Sequence, residues 1–252
     1  AVDQKVADLH TYSMSDKTAD LYAFDSRFTG KSSAFKVTYE GKTYQFETRL
    51  AGRFNIYNTL GAIGAALSEG ISMETIAAAM KTFHSVPGRF ELIDEGQSFT
   101  VVVDYAHTPD GLEKILTTAQ EITKGRILVV FGCGGDRDKM KRPIMGRIAA
   151  RYADVAIVTS DNPRTEDPET IVKEVAAGVE EVKAEKPSLQ VEVVVDRRSA
   201  IQKAISLAKG DDIVLIAGKG HEDYQILKDK TIHFDDREEA RKALKESGAV
   251  RF

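Results

Sequence analysis

Four short segments concentrate the side chains that could do chemistry: DYAHTPD (104–110), GCGGDRD (132–138), SDNPRTEDP (160–168) and GKGHED (218–223). Arg164 has a planar guanidinium, suited to two parallel hydrogen bonds with a carboxylate or phosphate. Asp161, Asn162 and Pro163 precede it in a turn that leads to a helix cap at Asp167. Glu222 could take a substrate ammonium; with Arg164 it would suit a zwitterionic amino acid. Asp104 could hold a ribose hydroxyl, and His107 lies three residues on. The glycines of GCGGDRD could admit an anion close to backbone amides. The plainer reading is a tight turn with a solvated Arg–Asp pair. The segment is not a dinucleotide fingerprint, because Arg137 stands where the third glycine is needed. Nor is it a phosphate-binding P-loop, since no lysine followed by Ser or Thr sits at the required spacing. Cys133, His107 and Asp104 could form a thiol-nucleophile set. A zinc site from His107 and His221 lacks a close-spaced ligand pair.

These segments fall where a parallel sheet would gather them. Val/Ile/Leu runs occupy 99–105, 126–132, 154–160, 190–195 and 212–218, as expected of strands buried on both faces. Helical start signals lie between them. Thr108-Pro109 and Asp167-Pro168 each place a capping side chain before a proline, Asp196 precedes Ile201 and Ile205, and Asp235 with Glu238 resembles a capping box. The spacing predicts a doubly wound α/β domain over 87–252, whose ligands bind where the strands end. All four segments follow strands and should converge on one edge.

Residues 20–50 alternate like short strands, with Gly41 at a hairpin turn. From Asn55 the period turns helical through Leu60, Ile63 and Leu67. A second helix follows Ser72, with Ile76, Met80 and Phe83 on one face. Val86-Pro87-Gly88 breaks the pattern and predicts a domain boundary. In GRFNIYN (52–58), Asn55 and Asn58 are i, i+3 neighbours whose amides could read a base edge. The alternative is that Asn55 is a helix cap.

Composition narrows the class. The 252 residues hold 35 basic and 39 acidic side chains, a net charge of −4, which disfavours non-specific nucleic-acid binding. One cysteine excludes an internal disulfide framework. No apolar run approaches the roughly 20 residues of a membrane helix, and the N-terminal residues do not read as a signal peptide. A cytoplasmic location is the expectation. The chain starts at Ala1 without an initiator methionine, so a processed form or fragment is expected.

Taken together, GRFNIYN, VPGRFE (86–91), VDYAHTPD, FGCGGDRD, TSDNPR and AGKGHEDYQ resemble, in order, the motifs of the Mur ligase family, the ATP-dependent amide ligases of peptidoglycan assembly. The resemblance implies a partial end of the α/β ATPase domain over 1–86, then a Rossmann-like, mostly parallel amino-acid-binding domain over 87–252. The family's GT-x-GKT P-loop and its carbamoylated lysine are not among these residues, so the chain alone is expected neither to hydrolyse ATP nor to make product. By motif, Arg164 would bind the side-chain carboxylate of meso-diaminopimelate, with Asp161, Asn162 and Pro163 of the same string alongside. Arg137 would contact the same amino acid, while Gly218 and Glu222 would hold its distal end. Lysine-adding relatives lack an arginine at the position of Arg164. Asn55 and Asn58 resemble adenine-side residues, Arg89 and Asp104 contacts to phosphate and ribose, and His107 sits beside them. The implied cofactors are ATP and Mg²⁺. The implied substrates are meso-diaminopimelate and UDP-MurNAc-L-Ala-D-Glu, whose D-glutamate carboxylate is phosphorylated and then attacked by the amine. Val86-Pro87-Gly88 would be a hinge for domain closure. Folylpolyglutamate synthetases share the architecture, but DNPR and GKGHED argue against them.

Overall fold

The computed structural model describes residues 10–29, 32–83 and 85–248. Two compact units divide the chain, Ala1–His84 and Ser85–Phe252.

The first unit has a four-stranded sheet: β1 (Tyr12–Ser13), β2 (Leu21–Thr29), β3 (Ser32–Tyr39) and β4 (Lys42–Thr48), in that order. β1 runs parallel to β2, and the remaining pairs are antiparallel. The turn at 40–41 joins Tyr39 to its partner Lys42, and both turn residues have positive φ (48° and 73°). This is the two-residue hairpin geometry that matches strand twist. Helices α1 (Arg53–Ser68) and α2 (Met73–Thr82) cover the sheet. Ile56, Leu60 and Ile63 of α1 and Met73 and Ile76 of α2 pack with Leu21, Phe35, Val37 and Phe46. Ser72 caps α2 by accepting from the Thr75 amide. Phe83 departs from the sequence reading: it lies past the end of α2 and is 42% exposed.

The second unit contains β5 (Glu91–Leu92), β6 (Thr100–Asp104), α3 (Pro109–Ile122), β7 (Ile127–Phe131), α4 (Lys141–Tyr152), β8 (Val155–Val158), α5 (Pro168–Lys183), β9 (Gln190–Val193), α6 (Arg197–Leu207), β10 (Ile213–Ala217), β11 (Tyr224–Ile226), β12 (Thr231–His233) and α7 (Asp236–Glu246). Its sheet order is β5-β6-β10-β7-β8-β9, parallel throughout except for β5. The last long strand, β10, therefore inserts between β6 and β7, placing Gly218 between the loops that follow them. Successive side chains of a strand point to opposite faces. On one face Val101, Val103, Val130 and Ile216 pack with Ile201 and Ile205 of α6 and Ala240 and Leu244 of α7. The other face contacts α3, α4 and α5. Each fully buried Val or Ile contributes roughly 1.5–3 kcal/mol of transfer free energy. β9 is the exception to burial on both faces: it is an edge strand, and Val193 is 52% exposed.

The caps form at Thr108, Asp167, Asp196 and Asp235. The capping box at 235–238 is one-sided, because the Glu238 carboxylate bonds to His233 Nε2 at 2.7 Å instead.

Candidate active site

The loops after β6, β7, β8 and β10 enclose a cavity of about 470 Å³. Seven of the residues singled out in the sequence line it: His107, Arg137, Asp161, Asn162, Arg164, Gly218 and Glu222. Arg89, Asp104 and Pro163 belong to the same unit but are not among its lining residues, and Asn55 and Asn58 belong to the first unit.

The glycines after β7 serve close packing. A Cβ on Gly135 would overlap the Pro163 carbonyl oxygen, so only glycine lets the two loops meet backbone to backbone. The Gly135 amide donates to Asn162 O at 2.9 Å. One residue on, the Asp136 amide donates to Glu166 at 2.7 Å, while the Asp136 carboxylate accepts from the Thr165 hydroxyl at 2.7 Å. Asp136 and Arg164, one in each loop, both have left-handed backbone (φ 54° and 53°). Such conformations persist where the surroundings over-determine them, and this lacing does so. The amides of this segment thus serve the neighbouring loop, an outcome outside both readings of the sequence.

Arg164 reaches back with Nη1 to Gly135 O at 2.8 Å and to Asn162 O at 3.4 Å. Among the described residues its Nε and Nη2 make no hydrogen bond and are available to a ligand. Arg137 lines the same cavity and is exposed. Opposite in charge, Asp161 and Glu222 line it as well. Asn162 ties the loops together: Nδ2 donates to Glu222 Oε2 at 3.0 Å, and Oδ1 accepts from the Ile226 amide at 2.9 Å and from Lys219 Nζ at 3.1 Å. Gly218 has φ 124°, and a Cβ there would lie 2.6 Å from Asp161 Oδ2.

Behind this surface lies a buried ion pair. Arg197 is wholly buried and donates to both Asp236 oxygens, at 2.8 and 2.7 Å, and to Ala217 O at 3.0 Å. It thereby fixes the ends of β10, α6 and α7 beneath Gly218. Lys219, also wholly buried, was passed over by the sequence reading except as a member of its motif. Only the fold reveals that its stem is enclosed.

Other candidates change role. Cys133 is buried, its Sγ lies 3.6 Å from Met145 Sδ, and burial pushes its thiol up to about 11. It is a packing residue, and the thiol-nucleophile set is discarded. Asp104 accepts from the Phe90 and Ala106 amides at 2.7 and 2.8 Å; burial raises its carboxyl above the usual range, against those two bonds. His107 and His221 both pack on the Tyr105 ring, at 4.6 and 5.0 Å. Among the described residues no group of three His, Cys, Asp or Glu side chains could hold a metal. The Arg89 guanidinium lies over the same tyrosine ring at 4.9 Å. Asn55 is not the cap of α1, a position that Gly52 takes. Its buried amide donates to Ala51 O at 2.8 Å and accepts from Asn58 Nδ2 at 3.2 Å, while Asn58 stays exposed.

Comparison with known proteins matches residues 88–220 to the Mur ligase glutamate ligase domain and residues 1–66 to the Mur ligase middle domain. The chain belongs to the Mur ligase family. Among curated Mur ligases it is 50% identical over 242 residues to the UDP-N-acetylmuramoyl-L-alanyl-D-glutamate–2,6-diaminopimelate ligase of Geobacillus kaustophilus, covering 96% of this chain and 48% of that protein. The Clostridium botulinum enzyme of the same name is 49% identical over 233 residues, covering 92% and 47%. A solved structure of a ligase of that name matches with a TM-score of 0.72 and 37% identity over 95% of this chain and 48% of that one. The UDP-N-acetylmuramate-alanine ligase of Thermotoga maritima, 18% identical, shares the fold with a TM-score of 0.64 over 95% and 48%. The chain thus spans about half the length of the Mur ligases it matches. No helix among its described residues is long and apolar enough to cross a membrane.

Proposed function

We propose that this chain is part of an ATP-dependent ligase that joins meso-diaminopimelate to the D-glutamate carboxylate of UDP-MurNAc-L-Ala-D-Glu, and that residues 87–252 hold the incoming amino acid. Residues 1–86 are then the end of the ATP-binding domain. The observation that carries this reading is one cavity with the Arg164 and Arg137 guanidiniums and the Asp161 and Glu222 carboxylates on its wall. A diamino diacid presents both charges at its distal end, and both find partners there. Relatives that share about half their residues with this chain bear the names of diaminopimelate ligases.

In this mechanism the chain does little covalent work. Its residues bind the amino acid, orient its reacting amine toward the activated carboxyl group and keep water away. The residues expected to meet ATP divide into two kinds. Asn58 and Arg89 are exposed and suited to a base edge and a phosphate. Asn55 and Asp104 are buried and already bonded to their own chain, so they would position their neighbours. ATP would supply the phosphoryl group that activates the carboxylate. Mg²⁺ would accompany the ATP phosphates; among the described residues no group of three or more His, Cys, Asp or Glu side chains would hold it unaided. Cytoplasmic location belongs to the same proposal, since these precursors are nucleotide-linked and ATP-consuming.

Calorimetry with meso-diaminopimelate and L-lysine side by side tests the assignment. The chain should prefer the diacid, and Arg164→Ala should weaken it by about 2–5 kcal/mol, the cost of removing one partner of a desolvated charge pair. Equal affinity for the two amino acids would sink the specificity claim.

A further inference from the structure

Lys219 is fully buried behind the residues that line the cavity, a costly place for an ammonium. Its Nζ donates to Asn162 Oδ1 at 3.1 Å and lies 3.7 Å from Asp161 Oδ1 and 3.6 Å from Glu222 Oε2. The Tyr224 ring is 5.6 Å away. The ammonium therefore stands among four residues that line the cavity, and it comes from the loop that also supplies Gly218 and Glu222. Burial holds it below the usual lysine range, opposed by the nearby carboxylates of Asp161, Asp236 and Glu222.

We infer that Lys219 is a positioning residue of the amino-acid site: its ammonium keeps Asp161, Asn162 and Glu222 in one arrangement and leaves the cluster a single net negative charge for the ligand's ammonium. The charge follows from two carboxylates against one lysine, since Arg197 is balanced by Asp236 behind them. The Asn162 amide is fixed by the same contact. Its oxygen receives Lys219 and the Ile226 amide, which leaves Nδ2 to face Glu222. Without the lysine, the two carboxylates would lose the ammonium that stands within 4 Å of each, and uncompensated like charges disfavour joint ionisation. The inference rests on the reading of this cavity as an amino-acid site.

Carbon-13 NMR titration of the Asp161 and Glu222 carboxyl groups in the unliganded chain, unsubstituted and Lys219→Met, decides the matter. The charged and titratable groups facing these carboxyls are Lys219, Arg197 and Asp236, the Tyr105 and Tyr224 hydroxyls, the Cys133 thiol beside Asp161 and, around the cavity, Arg137, Asp138, Lys141 and Arg164. At least one carboxyl should titrate about one pH unit or more higher in the variant, because its counter-ion is gone. Unchanged titration of both would overturn the inference. The measurement needs no ligand, so it succeeds or fails apart from the diaminopimelate assignment, which calorimetry tests separately. Should Lys219→Met not fold, adding Asp161→Asn removes one of the two opposed charges and should restore folding. A double variant that stays unfolded would equally overturn the proposal.

Discussion

A single methyl group is enough to test the contact between the β7 and β8 loops. Gly135→Ala would drive a Cβ into the Pro163 carbonyl, which a backbone cannot avoid without moving. Overpacking of this kind costs typically about 1–3 kcal/mol, and here it would also shift Arg164, whose Nη1 bonds to Gly135 O. Both the urea midpoint and affinity for meso-diaminopimelate should fall. A fully stable variant with weakened binding would show that the glycine acts on the ligand directly. Cys133 gives the converse case. With its thiol raised to about 11 by burial, alkylation by iodoacetamide at pH 8 should be slow in the folded chain and fast in urea. At this scale the sequence was legible in the convergence of its segments: Arg164 and Glu222, far apart along the chain, line one cavity. It was not legible where burial decides. Nothing in GKGHED says that its lysine is enclosed, and nothing in GCGGDRD says that its amides will meet a neighbouring loop.

Among the helices of the second unit, α4 is the one whose start no capping side chain marks. Its place is set by the buried Arg142, which donates to Glu166 at 3.0 and 2.8 Å and to Glu174 at 2.5 Å. Such a contact spans over twenty positions and leaves no local trace, whereas the caps at Thr108 and Asp167 lie beside the helices they start. Glu166 also accepts from the Asp136 amide, so one carboxylate holds α4 and the loop carrying Arg137 against the DNPR loop. Its bond to Arg142, then that to the Asp136 amide, lower its carboxyl from 4.5 to about 2. A carboxyl depressed in the folded state contributes stability that is complete above its unfolded value and is lost as pH falls through its folded value. The loss from this group should therefore run from about pH 4.5 down to about 2. Glu166→Gln should lower stability at pH 7 and flatten the acid limb of a urea-midpoint profile over that window. An acid limb unchanged in slope would show that Glu166 is not the group responsible.

For the molecule as a whole, the run of Val/Ile/Leu segments made a parallel α/β unit legible, but strand order was not. Insertion of β10 between β6 and β7 depends on which pairings bury the most apolar surface on both faces, a long-range choice that no window of sequence contains. That order is what brings GKGHED between the loops after β6 and β7, so the site is a property of the topology as much as of the motifs. Every residue lining the cavity falls between Tyr105 and Tyr224. The sheet that carries them has its own two-faced core within Ser85–Phe252, and a unit of that size is ample to fold alone. Residues 85–252 expressed by themselves should therefore fold cooperatively and bind meso-diaminopimelate as tightly as the 252-residue chain does. A clear loss of affinity with the fold intact, seen by circular dichroism and calorimetry on the same sample, would show that residues before 85 shape the amino-acid site and that the four loops do not suffice.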